Sequence, residues 1–236
     1  MFHLNFNAPA ESETETATQK KTRKKKRRIA VFDFETDPFL YGRVPVPFAC
    51  GFYDGETYMD FWGDDCVSRF IAYLEKTPYE YYLYAHNGGK FDFIYLVLAG
   101  ALRNPVKVIN SRIVSAKIGR HILRDSYAIL PVPLAAHDKG KIDYTLFERE
   151  KREENKADIL EYLARDCESL YALVSAFVGR FGVQLTIGGT AIKEVARLHP
   201  FERTDREHDD LFRSFYFGGR VECFERGEIH GKFKVY

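Results

Sequence analysis

The sequence predicts an α/β chain, and three observations carry that reading. Residues 29–36, IAVFDFET, are a short apolar run bounded by a basic stretch and by Pro38, the pattern of a buried strand. Residues 48–53 and 56–62 are two further β-like runs joined by Asp54-Gly55, a hairpin signal. Residues 156–181 repeat apolar side chains at helical spacing, and shorter strand and helix signals alternate before them.

The first run also carries chemistry. Side chains alternate along a strand, so Asp33 and Glu35 point to one face. Two carboxylates on one face repel, and burying them is costly unless a cation neutralises them. One reading is half of a divalent-metal site; the other is a strand end with solvated acids. After the hairpin, Asp64-Asp65 opens a helix to about residue 75, with Phe70, Ile71 and Leu74 at helical spacing. Residues 81–85 read as a central strand leading into His86-Asn87-Gly88-Gly89-Lys90-Phe91-Asp92. Two successive glycines allow a sharp turn, from which Asn87 can bond backbone or ligand. Asp92 begins a helix to about residue 99, either as its N-cap or as a third carboxylate.

Residues 107–109, 113–118 and 122–125 are short β-like runs, and Pro131 and Pro133 end the regular pattern. Ser126 and the run 138–144 are the polar features here. The long helix, residues 156–181, takes Asn155 as its cap. Tyr162 and Asp166 lie four apart and so share a face, which in isolation suits a surface pair as well as a functional one. From about residue 185 the chain reads as connector, with helices near 190–198 and 206–213. Alternating strands follow over 220–236, around the turn Arg226-Gly227.

With 236 residues, 45% hydrophobic and 15% aromatic, the chain can hold one good-sized domain with an appendage. Its net charge of +1 hides a segregation: residues 1–28 hold eight basic and three glutamate residues, and the remainder has 27 basic and 31 acidic ones. The body therefore does not attract polyanions in bulk and needs metal ions or local basic patches to do so. Residues 1–28 are polar and then basic, the composition of a disordered tail. A solvated tail, a non-specific nucleic-acid contact and a nuclear-localisation-like signal all suit it. The four cysteines, Cys50, Cys66, Cys167 and Cys223, are scattered, which points to reduced thiols in a soluble intracellular protein. No apolar run is long enough to span a bilayer, and no signal-peptide pattern is present.

In order, the chain shows D-x-E on a first strand, N-x-x-x-x-D at a strand-to-helix turn, and Y-x-x-x-D on a late helix. This resembles the 3′→5′ exonuclease domain of family B DNA polymerases, in particular the protein-primed branch of bacteriophages, adenoviruses and organellar linear plasmids. Residues 32–36 match that family's first exonuclease motif, Asn87 to Asp92 the second, and Tyr162 to Asp166 the third. Ser126, with Leu130 behind it, resembles a motif that holds the single-stranded DNA end. Lys139 with Ile142 resembles the catalytic-site lysine motif. Tyr216-Phe217-Gly218-Gly219 resembles the Y-x-G-G segment between exonuclease and polymerase domains. Two departures stand out: Gly88 and Gly89 occupy the place of one residue in some relatives, and Tyr127 replaces the usual Leu after the serine.

The resemblance implies a ribonuclease-H-like fold, with a mixed central sheet flanked by helices over residues 29–185 and a connector over 186–236. It implies two divalent ions, Mg²⁺ or Mn²⁺, about 4 Å apart, to make a nucleophile at neutral pH and relieve charge on the leaving oxygen. Asp33, Glu35 and Asp166 would hold the ion that activates water, and Asp33 would bridge to the second, supported by Asp92. Tyr162 would orient the water, Lys139 offset developing charge, and Phe91 stack on a base. Asn87, Ser126, Tyr216, Gly218 and Gly219 would contact DNA. The implied partners are a single-stranded DNA 3′ end, primer-template DNA and a terminal priming protein, with no membrane and no small-molecule cofactor. The family's first polymerase aspartate would come just after Tyr236, so the chain reads as the amino-terminal part of a polymerase. A non-catalytic nucleic-acid-binding remnant is a second reading. Another ribonuclease-H-like enzyme is a third, and the Tyr162/Asp166 pair speaks against it.

Overall fold

The computed structural model describes residues 27–39, 45–134, 142–202, 205–216 and 231. Within them are seven strands, β1 (Arg28–Thr36), β2 (Pro47–Tyr53), β3 (Tyr58–Trp62), β4 (Tyr81–Ala85), β5 (Leu102–Ile109), β6 (Arg112–Ile118) and β7 (His121–Asp125). Five helices accompany them: α1 (Cys66–Lys76), α2 (Asp92–Leu98), α3 (Lys156–Phe181), α4 (Ile187–Leu198) and α5 (Arg206–Ser214). The strands form one mixed sheet in the order β3-β2-β1-β4-β7-β6-β5. β1, β4 and β7 run parallel to their neighbours among themselves; the remaining pairings are antiparallel. The basic tail, the 220–236 run, Lys139, Gly218 and Gly219 lie outside the described residues, apart from Arg27, Arg28 and Gly231.

The alternation on β1 sorts the two layers. Ala30, Phe32 and Phe34 face α1 and α2, where they pack with Phe70, Leu74, Phe93 and Leu96. Val31 faces α3, with Ile159, Leu163, Leu170 and Val174. The first layer is dense in aromatic rings: Phe32 lies 5.0 Å from Phe70, and Phe34 5.9 Å from Phe70 and from Tyr95. Each fully buried side chain of this size contributes about 1.5–3 kcal/mol.

The β2–β3 turn is fixed by Asp54, whose carboxylate accepts the N–H groups of Glu56 and Thr57 at 3.1 and 2.9 Å. Three local expectations need correction. β5 begins at Leu102, five residues before the expected run, and passes through Pro105. It is an edge strand whose ladder to β6 is interrupted between Arg103 and Lys107, so a proline that spoils the sequence pattern is tolerated there. Asn155 stands at the N-cap position of α3, but its side chain caps no N–H there: its amide reaches back to the Lys151 carbonyl at 2.8 Å. α4 starts at Ile187, because Thr186 accepts the Gly189 N–H at 3.1 Å and caps a turn that the glycine pair disguises.

The chain divides after Thr190. In the second unit, Asp205 caps α5 by accepting the His208 N–H at 2.9 Å, and Leu211, Phe212, Phe215 and Tyr216 are exposed. Among the described residues no helix is long and apolar enough to cross a membrane.

Candidate active site

The site forms where β1 outruns its parallel neighbour. The β1–β4 ladder ends at Val31↔Tyr84, while β1 continues to Thr36 against β2 alone. After Ala85 the chain turns away through Asn87, which takes φ 57°. The resulting cleft, of about 520 Å³, sits at the carboxyl ends of parallel strands, where open α/β sheets bind ligands. Asp33, Glu35, His86, Asn87, Asp92 and Asp166 line it.

β1 supplies Asp33 and Glu35 on the face that α3 covers. Asp33 pairs with Gly51 on β2. A Cβ at Gly51 would sit 2.9 Å from both Cys167 Sγ and Leu163 Cγ, so only a glycine lets α3 seat this close. Leu163 and Cys167 bracket Asp166, and the close seating brings that acid to the strand. Asp33, Glu35 and Asp166 offer ligand atoms that all lie within 4.8 Å of one another. Unit charges about 4 Å apart near a protein surface repel by about 4 kcal/mol per pair, so the arrangement calls for a cation. Three carboxylates suit a hard ion such as Mg²⁺ or Mn²⁺. The neighbouring Cys167 is not one of the clustered ligands, and burial pushes its thiol up.

Tyr162 sits one turn before Asp166, 5% exposed, with its hydroxyl 3.1 Å from that of Tyr144. Burial, then the Tyr144 hydroxyl, then the charges of Asp166 and Glu35 all push the Tyr162 phenol up. It remains neutral and able to donate.

Asp92 comes from the opposite layer. It is the first residue of α2, and its Oδ1 accepts the Phe34 N–H at 3.0 Å. It lines the same cleft but is not one of the three clustered carboxylates, because α2 reaches the strand end from the far side of the sheet. Burial pushes its carboxyl up to about 7; the Phe34 N–H opposes the shift and the Asp125 charge adds to it.

The other expected residues divide. Phe91 is 60% exposed at the cleft, with its ring available. Asn87 lines the cleft, held from behind by Arg112. Ser126 is fully buried, and its hydroxyl donates to the Ala85 carbonyl at 3.2 Å and pairs with His86 Nδ1 at 3.1 Å. His86 lines the cleft, and Ser126 lies behind it. Tyr216 is 83% exposed in the second unit, and Lys139, Gly218 and Gly219 are outside the described residues. Sequence reasoning assigned no role to His86, Tyr127 and Tyr144, which also line the cleft. Each lies within one or two residues of a residue or run that reasoning had singled out, and that adjacency was the available signal.

A mixed sheet with acids gathered at the ends of its parallel strands, two helical layers and a fourth acid on the next turn define a domain of the ribonuclease-H-like class. The chain matches no protein-family model. It is 52% identical over 210 residues to the DNA-directed DNA polymerase of Enterobacteria phage PRD1, across 89% of this chain and 38% of that protein. It therefore spans well under half the length of this curated relative. Its fold is shared with solved structures of Phi29 DNA polymerase. The complex with primer-template DNA superposes with a TM-score of 0.62 at 19% identity, over 83% of this chain and 40% of that one. The complex with single-stranded DNA gives 0.60 at the same identity and coverage. These likenesses support a fragment of a protein-primed family B DNA polymerase.

Proposed function

We propose that this chain carries a metal-dependent 3′→5′ exonuclease, which removes nucleotides from single-stranded DNA ends as the proofreading part of a DNA-directed DNA polymerase. The observation that carries the reading is the convergence of Asp33, Glu35 and Asp166 within 4.8 Å, from elements at opposite ends of the described domain. Asp92 and Tyr162 stand in the same cleft.

Asp33, Glu35 and Asp166 would hold one divalent ion, and Asp33 with Asp92 a second, Mg²⁺ or Mn²⁺ in either place. Bound there, such ions lower the pKa of water and neutralise charge on the leaving oxygen. The chain's own residues do the rest. Tyr162, kept neutral, donates to and orients the attacking water. Phe91 offers an exposed ring to a terminal base, a contact that tolerates any sequence. Asn87, with His86 braced by Ser126, holds the strand beside the acids. Lys139 is assigned to offsetting developing negative charge, and Tyr216, Gly218 and Gly219 to a DNA contact, on the resemblance of their motifs alone. Residues 29–185 form the exonuclease domain and 186–236 the connector, with residues 1–28 as a basic tail. Primer-template DNA and a terminal priming protein are the partners that suit this reading.

The test is an end-labelled oligonucleotide with Mg²⁺ or Mn²⁺, single-stranded against blunt duplex. Stepwise shortening from the 3′ end is expected, faster on the single strand because a duplex end must first unstack at a cost of a few kcal/mol. Internal cuts, or no cleavage by cleanly folded protein, would refute it.

A further inference from the structure

Arg112 opens β6, and the turn 86–89 closes around it. Its Nη1 donates to Asp125 Oδ2 at 2.8 Å and also to Asn87 Oδ1. The Asp125 side chain is wholly buried, and its other oxygen accepts the Tyr127 N–H at 3.0 Å. The guanidinium lies over the Tyr127 ring, 4.6 Å from its centre. Gly89 passes flush against the arginine: a Cβ there would be 2.2 Å from the Ile113 carbonyl and 2.7 Å from Arg112 Cγ. Acid, ring and backbone thus hold Arg112 on three sides, and the fourth side is Asn87. Two of these holders, the second glycine of the turn and Tyr127, are the two places where the chain departs from the motifs it resembles.

A guanidinium has donors only, so the Asn87 atom that faces it is the carbonyl oxygen. That leaves the two amide N–H groups for the cleft that Asn87 lines. The charge of Arg112 is matched by Asp125, so the cleft meets a pair of neutral donors rather than a cation. We infer that Arg112 is a positioning residue: braced by Asp125 and Tyr127, it locks the Asn87 amide so that this subsite takes a hydrogen-bond acceptor of the nucleotide, a phosphate oxygen or a base carbonyl. The identity of the ligand rests on the exonuclease reading; the link from Arg112 to Asn87 does not.

Arg112→Lys keeps a charge opposite Asp125 but loses the planar fork, and Tyr127→Leu removes only the brace. In ligand-free protein, the Asn87 side-chain amide pair in the ¹⁵N–¹H spectrum moves toward the position of a free amide in Arg112→Lys, and partway in Tyr127→Leu. Without divalent metal, an oligo-dT binds about three- to tenfold more weakly to Arg112→Lys, the loss of one directed hydrogen bond. In an Asn87→Ala background Arg112→Lys adds nothing, because the arginine acts through the asparagine. Mn²⁺ binding by calorimetry is unchanged. A methylphosphonate next to the 3′ end and an abasic 3′ nucleotide separate the two acceptors: the substitution that erases the Arg112→Lys effect names the atom read. Asn87 signals that stay put in Arg112→Lys, or Asn87→Ala and Arg112→Lys losses that add in full, overturn the inference. Wild-type protein that neither binds nor shortens DNA, while the Asn87 signals still move, sinks the exonuclease reading and leaves the positioning intact.

Discussion

The two ends of β1 and β4 obey opposite electrostatic rules. At the amino end Arg27, Arg28, Asp54, Glu56 and Glu80 are joined in pairs of opposite charge. Arg28 lies 2.8 Å from Glu56 and 3.8 Å from Asp54, Tyr81 donates to Asp54 at 3.0 Å, and Arg27 meets Glu80 at 2.9 Å. His121 is held there as a neutral ring. Its Nδ1 accepts the Tyr81 N–H at 3.2 Å, which leaves the proton on Nε2 for the Leu74 carbonyl at 2.8 Å. At the carboxyl end like charges gather instead, three carboxylates within 4.8 Å and a fourth buried beside them. Complementary charges hold strands together, whereas crowded like charges make a place suited to an added cation. The same sheet serves stability at one end and binding at the other.

The largest expected effect comes from breaking the crowded end. Asp33→Ala or Asp166→Ala is expected to lower 3′-end cleavage by roughly a hundredfold or more, since an ion whose ligand is lost no longer contributes several kcal/mol to the transition state. Circular dichroism should remain native. Tyr162→Phe should lose less in the same labelled-oligonucleotide assay, because it positions water and holds no ion. Equal losses for the tyrosine and the aspartates would erase the distinction between them.

Next comes the seating of α3. Gly51→Ala places a methyl 2.9 Å from Cys167 Sγ and Leu163 Cγ. Overpacking of this kind costs about 1–3 kcal/mol, read as a lower urea midpoint. Mn²⁺ affinity should fall as well, because Asp166 backs away from β1. A variant destabilised but with unaltered Mn²⁺ binding would separate helix seating from the metal site.

The smallest effects are in pH, and there the ends should diverge in sign. Asp92 has its folded pKa raised to about 7, so its contribution to stability is present below the unfolded value of about 4 and lost as pH rises through 7. Asp92→Asn should therefore raise the metal-free melting temperature at pH 8 and change it least at pH 4. His121 has its pKa lowered, chiefly by burial, so its contribution is present above the unfolded value of about 6.5 and is lost as pH falls below it. His121→Gln should flatten the acid limb of the urea midpoint against pH. The same sign for both variants would contradict the contrast between the ends.

Much of this was legible in local pattern. The alternation around Asp33 and Glu35, the Asp54-Gly55 turn and the apolar stripe of α3 depend on neighbours in sequence, and they fell close to where they were expected. What escaped depends on neighbours in space. The edge position of β5 excuses Pro105, and nothing near Pro105 announces an edge. Ser126 looks like a surface hydroxyl until β4 and β7 pair and bury it under His86. Gly51 reads as one more strand residue until α3 lies across it. The membership of Asp92 turns on which layer α2 occupies, a fact about the whole sheet.

The acids at the carboxyl end enter the chain at very different times during synthesis. Asp33 and Glu35 are made first and Asp92 next, while Asp166 and Tyr162 arrive on the helix that completes the domain. A nascent chain that has formed only its early strands holds two of the three clustered carboxylates and cannot close the cluster. On the exonuclease reading, the capacity to cut DNA appears only once α3 has been made. On that reading, cleavage reports that the sheet and α3 have come together.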